Sequence, residues 1–433
     1  MTTRLRDEAA ELLGELVRLD TVNPPGNETK AAELLCAYLE DAGVRCVLYA
    51  KEPERANLVA RIPGRRDGKR LLFLGHTDTV LADRGEWSVD PWSGEVRDGC
   101  IWGRGALDMK GQVAANAVAV ATLARAGFRP AGDLVMAATA DEEVGTSDFG
   151  LSWLCREHPE AVRAEYCVNE GGGDRVVVNG RAVYVCAVAE KASAPFLLRV
   201  HGRSGHASMP GIADNALVRA ARLIARLSEL EPEPRLVPET EAMFAALFGE
   251  TPPLDDVQRL VGQLDPSLAG MVEPMISMTV SPTMVEASRK RNVVPSVCDV
   301  TCDCRLLPGQ SRAEAEGAIR AALGENGYEL GWLEHVGGSR SSSHTPLWAA
   351  IQEWVGHEDP GATVVPVVLP GFTDSHYLRQ TFGTIAYGFF PMRTMSAEFA
   401  ARLVHSADER VPLDDVELGT RFLIDLARRI GTP

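Results

Sequence analysis

No run of about 18 apolar residues occurs in the 433-residue chain, which argues against a membrane-spanning helix. Basic residues are in deficit. The 44 Lys and Arg stand against 60 Asp and Glu, a formal charge of −16. Long-range repulsion then opposes binding to nucleic-acid phosphates or to an anionic membrane. The opening segment MTTRLRDEAAELLGELVRL lacks a signal peptide's continuous hydrophobic stretch, because charges run through its apolar positions. The nine cysteines are an odd number, scattered along a long chain. They read as reduced or buried thiols of a cytoplasmic protein, not as a disulfide framework. Cys298, Cys302 and Cys304 lack zinc-knuckle spacing and fall on one face of a candidate strand, which favours buried thiols over a metal site. Neither His-Glu-x-x-His nor Gly-x-Ser-x-Gly occurs, which weakens the single-zinc protease and serine hydrolase readings.

What is present is an ordinary globular mix, 45% hydrophobic and 24% charged, in a length that suits roughly two or three domains. Helical patterns at 4–19 and 30–42 flank the breaker cluster Asn23-Pro24-Pro25-Gly26. Strand-like runs at 57–61, 71–74 and 133–139 alternate with a long helical pattern at 112–126, which predicts an α/β unit with a largely parallel sheet. The middle of the chain reads β-α-β-β-α-β: strand 196–200, helix 215–230, strands 277–287 and 297–306, helix 311–323 and strand 328–334. Residues 231–275 are an excursion within it. Two domains are therefore expected, a discontinuous one from 1–190 and 337–433 and an inserted one from 191–336.

Chemistry-bearing residues gather at the ends of these elements. His76 closes the strand 71–74, and Asp78 two residues on can fix its tautomer. Gly103-Arg104-Gly105 leads to Asp108 ahead of the long helix; a carboxylate there would repel a pyrophosphate, so a metal ligand suits it better than a dinucleotide loop. Glu142 and Glu143 follow 133–139, where adjacent carboxylates repel unless a cation neutralises them. One could bind metal while the other takes a proton from water. Glu170 follows another apolar run, His405 lies before the last helix, and His206 sits in a tight turn of the inserted region. Taken singly, each is as well explained by a solvated turn or a satisfied loop histidine. The set of two imidazoles and several carboxylates suits zinc, with cobalt or manganese as substitutes, and has donors for two ions ~3.5–4 Å apart.

The motifs GHTDTV, GRGALDMKG, DEEVG, NEGGG, SGHAS, RNVVP, GFTDS and HSADE, in this order along nearly the whole chain, resemble the M20 family of metallopeptidases. That resemblance implies a zinc-exopeptidase-like α/β catalytic domain interrupted by a ferredoxin-like lid or dimerisation domain. It implies that His76 and Glu170 bind one metal, Glu143 and His405 the other, and that Asp108 bridges them. Glu142 would be the general base and Asp78 would orient His76. His206 would reach the partner subunit's site in a homodimer and stabilise the oxyanion. Asn292, Arg305, Gly371 and Thr373 match positions that contact substrate. The implied function is a two-metal hydrolase of an N-acyl amino acid or dipeptide. A carbamoyl or amidine C–N hydrolase and a non-catalytic metal-binding protein stand as alternatives. The chain departs from the family pattern at Leu81, where proline is common, at Phe372, where a second glycine is common, and in its longer insertion. Glu170 stands where several members carry aspartate.

Overall fold

The strands Leu71–His76 and Leu134–Thr139 are buried at all six positions each, as expected of a sheet covered on both faces. This computed structural model describes residues 2–432 apart from 66, 67, 145–147, 179, 262, 264, 265 and 325; Gly145 of DEEVG lies outside the described residues. The two strands pair in parallel, with His76 opposite Thr139. Tyr166–Asn169 adds in parallel beside Leu71–His76, and Ile385–Gly388 beside that. These four are the centre of a nine-stranded sheet. Its order is Arg45–Ala50, Ala56–Ile62, Leu134–Thr139, Leu71–His76, Tyr166–Asn169, Ile385–Gly388, Arg181–Glu190 and Thr363–Leu369, with Arg175–Val178 paired to Arg181–Glu190. The sheet is mixed where a largely parallel one was expected. Arg45–Ala50 runs antiparallel to Ala56–Ile62, because the short link 51–55 can close only a hairpin, and Ala56–Ile62 runs antiparallel to Leu134–Thr139.

Alternation along the central strands sorts side chains to two cores. Leu71 and Phe73 join the larger core, with the helices Thr2–Val17, Thr29–Asp41, Lys110–Arg125 and Leu413–Gly431. Leu72 and Leu74 face the smaller one with Leu151–Glu157. Lys110–Arg125 is buried along most of its length, and its alanines let the sheet approach closely. A Cβ on Gly75 would lie 2.9 Å from both Met109 Cε and Val113 Cγ2, so glycine is needed immediately before His76.

The chain divides into two compact units, one of Met1–Val188, Ser341–Val367 and Thr373–Pro433, the other of Ala189–Arg340 and Val368–Phe372. In the second, the sheet order is Glu329–Trp332, Phe196–His201, Val297–Leu306, Thr279–Glu286, which with the helices Ala216–Ser228 and Arg312–Leu323 makes a ferredoxin-like arrangement. Cys298, Cys302 and Cys304 are fully buried in its core, and all nine cysteines are free. Residues 231–275, read from sequence only as an excursion, carry the helices Pro238–Phe248 and Leu254–Val261 and most of Pro266–Ile276. Buried Lys191 donates to the carbonyls of Pro274 at 3.1 Å and Ser277 at 2.9 Å, tying the last of these helices to the sheet. Burial pushes its pKa down to about 7. Among the described residues no helix is long and apolar enough to cross a membrane.

Candidate active site

The central parallel strands end on one side of the first unit, and the loops that follow them carry carboxylates and an imidazole. His76 ends its own strand, Glu142 and Glu143 follow Leu134–Thr139, and Glu170 follows Tyr166–Asn169. Asp108 arrives just ahead of Lys110–Arg125, and His405 in the turn after the helix Ala397–Leu403. His76 Nε2 lies 3.2 Å from Asp108 Oδ1 and 3.7 Å from Glu170 Oε1. His405 Nε2 lies 3.2 Å from Asp108 Oδ2 and 3.1 Å from Glu143 Oε2. Two triads result, His76–Asp108–Glu170 and Asp108–Glu143–His405, each with its ligand atoms within 4.8 Å of one another. Asp108 belongs to both, one oxygen to each.

A model of peptidase family M20/M25/M40 matches residues 72–429. The chain belongs to this family. Among its relatives, a succinyl-diaminopimelate desuccinylase of Methylocella silvestris is 27% identical over 439 residues, covering 98% of each chain. Human N-fatty-acyl-amino acid synthase/hydrolase PM20D1 is 27% identical over 378 residues, 83% of this chain and 74% of that protein. The M20 family metallo-carboxypeptidase Sso-CP2 of Sulfolobus solfataricus shares the fold, with a TM-score of 0.75 at 18% identity over 98% of this chain and 100% of that one.

In this M20 hydrolase the donor set fits divalent cations. Each triad offers one imidazole and two carboxylates, which leaves a tetrahedral ion one position open for water or substrate. The tautomer is set for it. His76 Nδ1 lies 2.9 Å from the carbonyl oxygen of Asp78, which can only accept, so Nδ1 keeps a proton and, in the neutral ring, Nε2 is the nitrogen that would face a cation. The Asp78 carboxylate is farther off, 3.5 Å from Nδ1. Its oxygens accept instead the backbone N–H groups of Glu142 and Glu143, each at 3.1 Å.

The electrostatics point the same way. Burial pushes Glu142 well above the carboxylate range, and the charge of Glu170 adds to it. Burial also lifts Glu143, and it brings Glu170 to about 7. Hydrogen bonding to Asp108 and Glu143 pushes His405 up to about 10. Burial opposes charge on His76, but Glu170, Asp108 and Asp78 outweigh it and raise its pKa. Asp108, despite its burial, is held well below the usual range by the two imidazoles. Protons fill a centre short of positive charge, the place that bound cations would take.

The remaining candidates are distributed over both units. In the second, Gly205 and exposed His206 pair with Val294 and Val293, and Ala207 N–H donates to the carbonyl of Asn292 at 3.1 Å, so these two candidates are neighbours. Arg305 Nε lies 3.0 Å from Asp303 Oδ1 and 3.0 Å from Oδ2, a salt bridge within its own strand. Gly371, also in that unit, accepts Lys191 N–H at 3.1 Å. Thr373, in the first unit, is buried and its hydroxyl accepts Asn169 Nδ2 at 3.3 Å and Ser375 N–H at 3.2 Å. Sequence reasoning missed Asp374, whose Oδ2 accepts the Thr139 hydroxyl at 2.9 Å and whose pKa burial lifts to about 7. It also missed Glu409 and Asn23. Their only signals were a place in the HSADE motif and in a proline cluster read as a helix stop.

Proposed function

We propose that this M20 hydrolase uses two metal ions, zinc by the chemistry of its donors, to cleave the amide bond of a small N-acyl amino acid or dipeptide with a free carboxylate. The observation that carries the reading is Asp108, one carboxylate shared between two His–carboxylate triads. His76 and Glu170 would hold one ion and His405 and Glu143 the other, and ions held there would supply Lewis acidity toward water and the amide carbonyl. Glu142 belongs to neither triad among the described residues, and its raised pKa suits a group that takes a proton and gives it back. It removes a proton from the attacking water and delivers it to the leaving nitrogen. Asp78 keeps His76 and the Glu142–Glu143 turn in register.

The second unit acts as lid and dimerisation domain of a cytoplasmic homodimer. His206 donates to the developing oxyanion, and Asn292, Arg305, Gly371 and Thr373 receive the substrate's polar groups. A guanidinium suits a carboxylate by its paired donors, which requires Arg305 to exchange Asp303 for substrate. The names of the two curated relatives above describe an N-fatty-acyl amino acid and the removal of a succinyl group from diaminopimelate, and this favours N-acyl amino acids over peptides. The test is product release by metal-replete protein from N-acyl amino acids, dipeptides and N-carbamoyl amino acids, each with and without a chelator. Chelator-sensitive release from the N-acyl group is expected. Turnover confined to the carbamoyl group, or release indifferent to chelator, would overturn the reading.

A further inference from the structure

We infer that Asn23 is a positioning residue of the metal centre: its side-chain amide, lodged between the carboxylates of Asp78 and Asp141, holds the turn that carries Glu142 and Glu143. The inference rests on the proposed reading of Glu143 as a metal ligand. It concerns a part of the chain that precedes the family match, which begins at residue 72.

The backbone around Asn23 is anchored first. Residues 21–23 run beside 77–79, immediately after His76. Thr79 N–H donates to Thr21 O at 3.1 Å and Asn23 N–H to Thr79 O at 2.9 Å. The Thr21 hydroxyl donates to Thr77 O at 2.6 Å. Asn23 is buried, and its Nδ2 lies 2.9 Å from Asp78 Oδ2 and 3.0 Å from Asp141 Oδ1. An amide nitrogen has two hydrogens, and here one goes to each carboxylate.

Each of those carboxylates grips the same turn. Asp78 Oδ1 accepts the N–H of Glu142 and Oδ2 that of Glu143. Asp141 sits at φ +70°, in the left-handed region that a non-glycine residue occupies at a cost. Its Oδ2 accepts Phe149 N–H at 3.2 Å and its Oδ1 also takes Arg55 Nη2 at 3.0 Å. Arg55 in turn is bidentate to Glu28, at 2.7 and 2.8 Å. The guanidinium thus serves Glu28 and Asp141, and the gap between Asp78 and Asp141 is bridged by Asn23. A neutral donor pair there keeps two buried carboxylates close without a second cation. Because the oxygen Asn23 touches on Asp78 is Oδ2, the one that holds the Glu143 N–H, its loss should loosen Glu143 more than His76, which is fixed by the Asp78 backbone carbonyl.

The experiment is a titration of metal-free protein with Co²⁺, followed by its visible absorption, for the parent, Asn23→Ala, Asn23→Ser and Glu143→Ala, with far-UV circular dichroism as the check of fold. The parent is expected to bind two ions and Glu143→Ala to lose or greatly weaken one; any other result there defeats the ligand reading itself. Given that result, folded Asn23→Ala should bind the ion that Glu143→Ala loses about 10–100-fold less tightly while the other site changes little. Asn23→Ser, which can donate to only one carboxylate, should fall between. Two ions bound by Asn23→Ala as tightly as by the parent would overturn the inference. So would equal weakening of both sites, or collapse of the fold in both Asn23 variants, which would assign the residue to stability alone.

Discussion

Glu409 holds Asp108 by its backbone: Glu409 Oε1 accepts the N–H groups of Leu107 at 2.8 Å and Asp108 at 3.0 Å. Its other oxygen, Oε2, takes Arg104 Nη1 at 2.6 Å, in a pair whose side chains are 0% and 3% exposed. The segment that brings His405 to one triad therefore also clamps the carboxylate shared by both. The proposed bridging of two ions would require Asp108 to present its oxygens in fixed directions, and a buried clamp on the preceding peptide does this without occupying either oxygen.

Removing that clamp is predicted to be costly. Glu409→Ala deletes the acceptor of two N–H groups and strands a buried guanidinium, which should lower stability by about 3–5 kcal/mol. Glu409→Gln keeps one oxygen for the peptide N–H groups but not the charge for Arg104, so its loss should be smaller. Urea unfolding of metal-free protein measures both. An alanine variant as stable as the parent would show that the clamp carries little.

Glu142→Ala is expected to keep both metal ions and lose turnover by about 10²–10⁴-fold, the usual contribution of a positioned acid–base group. Elemental analysis of the purified variant and steady-state rates on the best substrate decide it. Loss of metal would reverse the roles of Glu142 and Glu143.

Metal uptake should depend on pH in a defined direction. In the metal-free centre Glu170 is lifted to about 7, chiefly by burial, and His405 to about 10, chiefly by its bonds to Asp108 and Glu143. Both raised values mean protons retained at neutral pH, and ligands must shed them to bind a cation. His76, also raised, must shed its Nε2 proton too, so binding at pH 7 should release about two or more protons, and affinity should climb as pH rises from 6 to 8. Calorimetry in two buffers of different ionisation enthalpy reads the protons directly; heats that do not change with buffer would contradict the model.

Three of the proposed ligands stand out in the sequence because each sits where an apolar run stops. His76, Glu143 and Glu170 end buried strands or follow them closely, and burial leaves a period-independent hydrophobic signature. The ferredoxin-like unit was legible for a related reason: its long strand Val297–Leu306 alternates buried and half-exposed residues. What escaped lay at a sheet edge or depended on partners distant in sequence. Arg45–Ala50 has no apolar alternation because it lies at a sheet edge with most positions exposed. Asn23 and Glu409 act through backbone N–H groups or carboxylates distant in sequence, and no local pattern encodes such partners. Asp78 was read as bonding the imidazole with its carboxylate, whereas its backbone carbonyl makes the shorter contact.

The proposed part of His206 can be tested by sharing labour between chains. His206 belongs to no metal triad among the described residues, so His206→Ala should leave metal content unchanged. A donor aimed at an oxyanion is worth about 10²–10³ in kcat, and a fall of that size with metals intact is expected. Mixing this variant with Glu142→Ala then separates two geometries. If His206 of the partner subunit serves each site, a hybrid dimer has one site with both groups intact. Random re-pairing of equal amounts makes half the dimers hybrid, so about a quarter of parental activity should return. If His206 serves its own chain's site, every site in the hybrid lacks one group and no activity returns. Recovery that grows with time of subunit exchange would therefore fix the assembly and the role of His206 together.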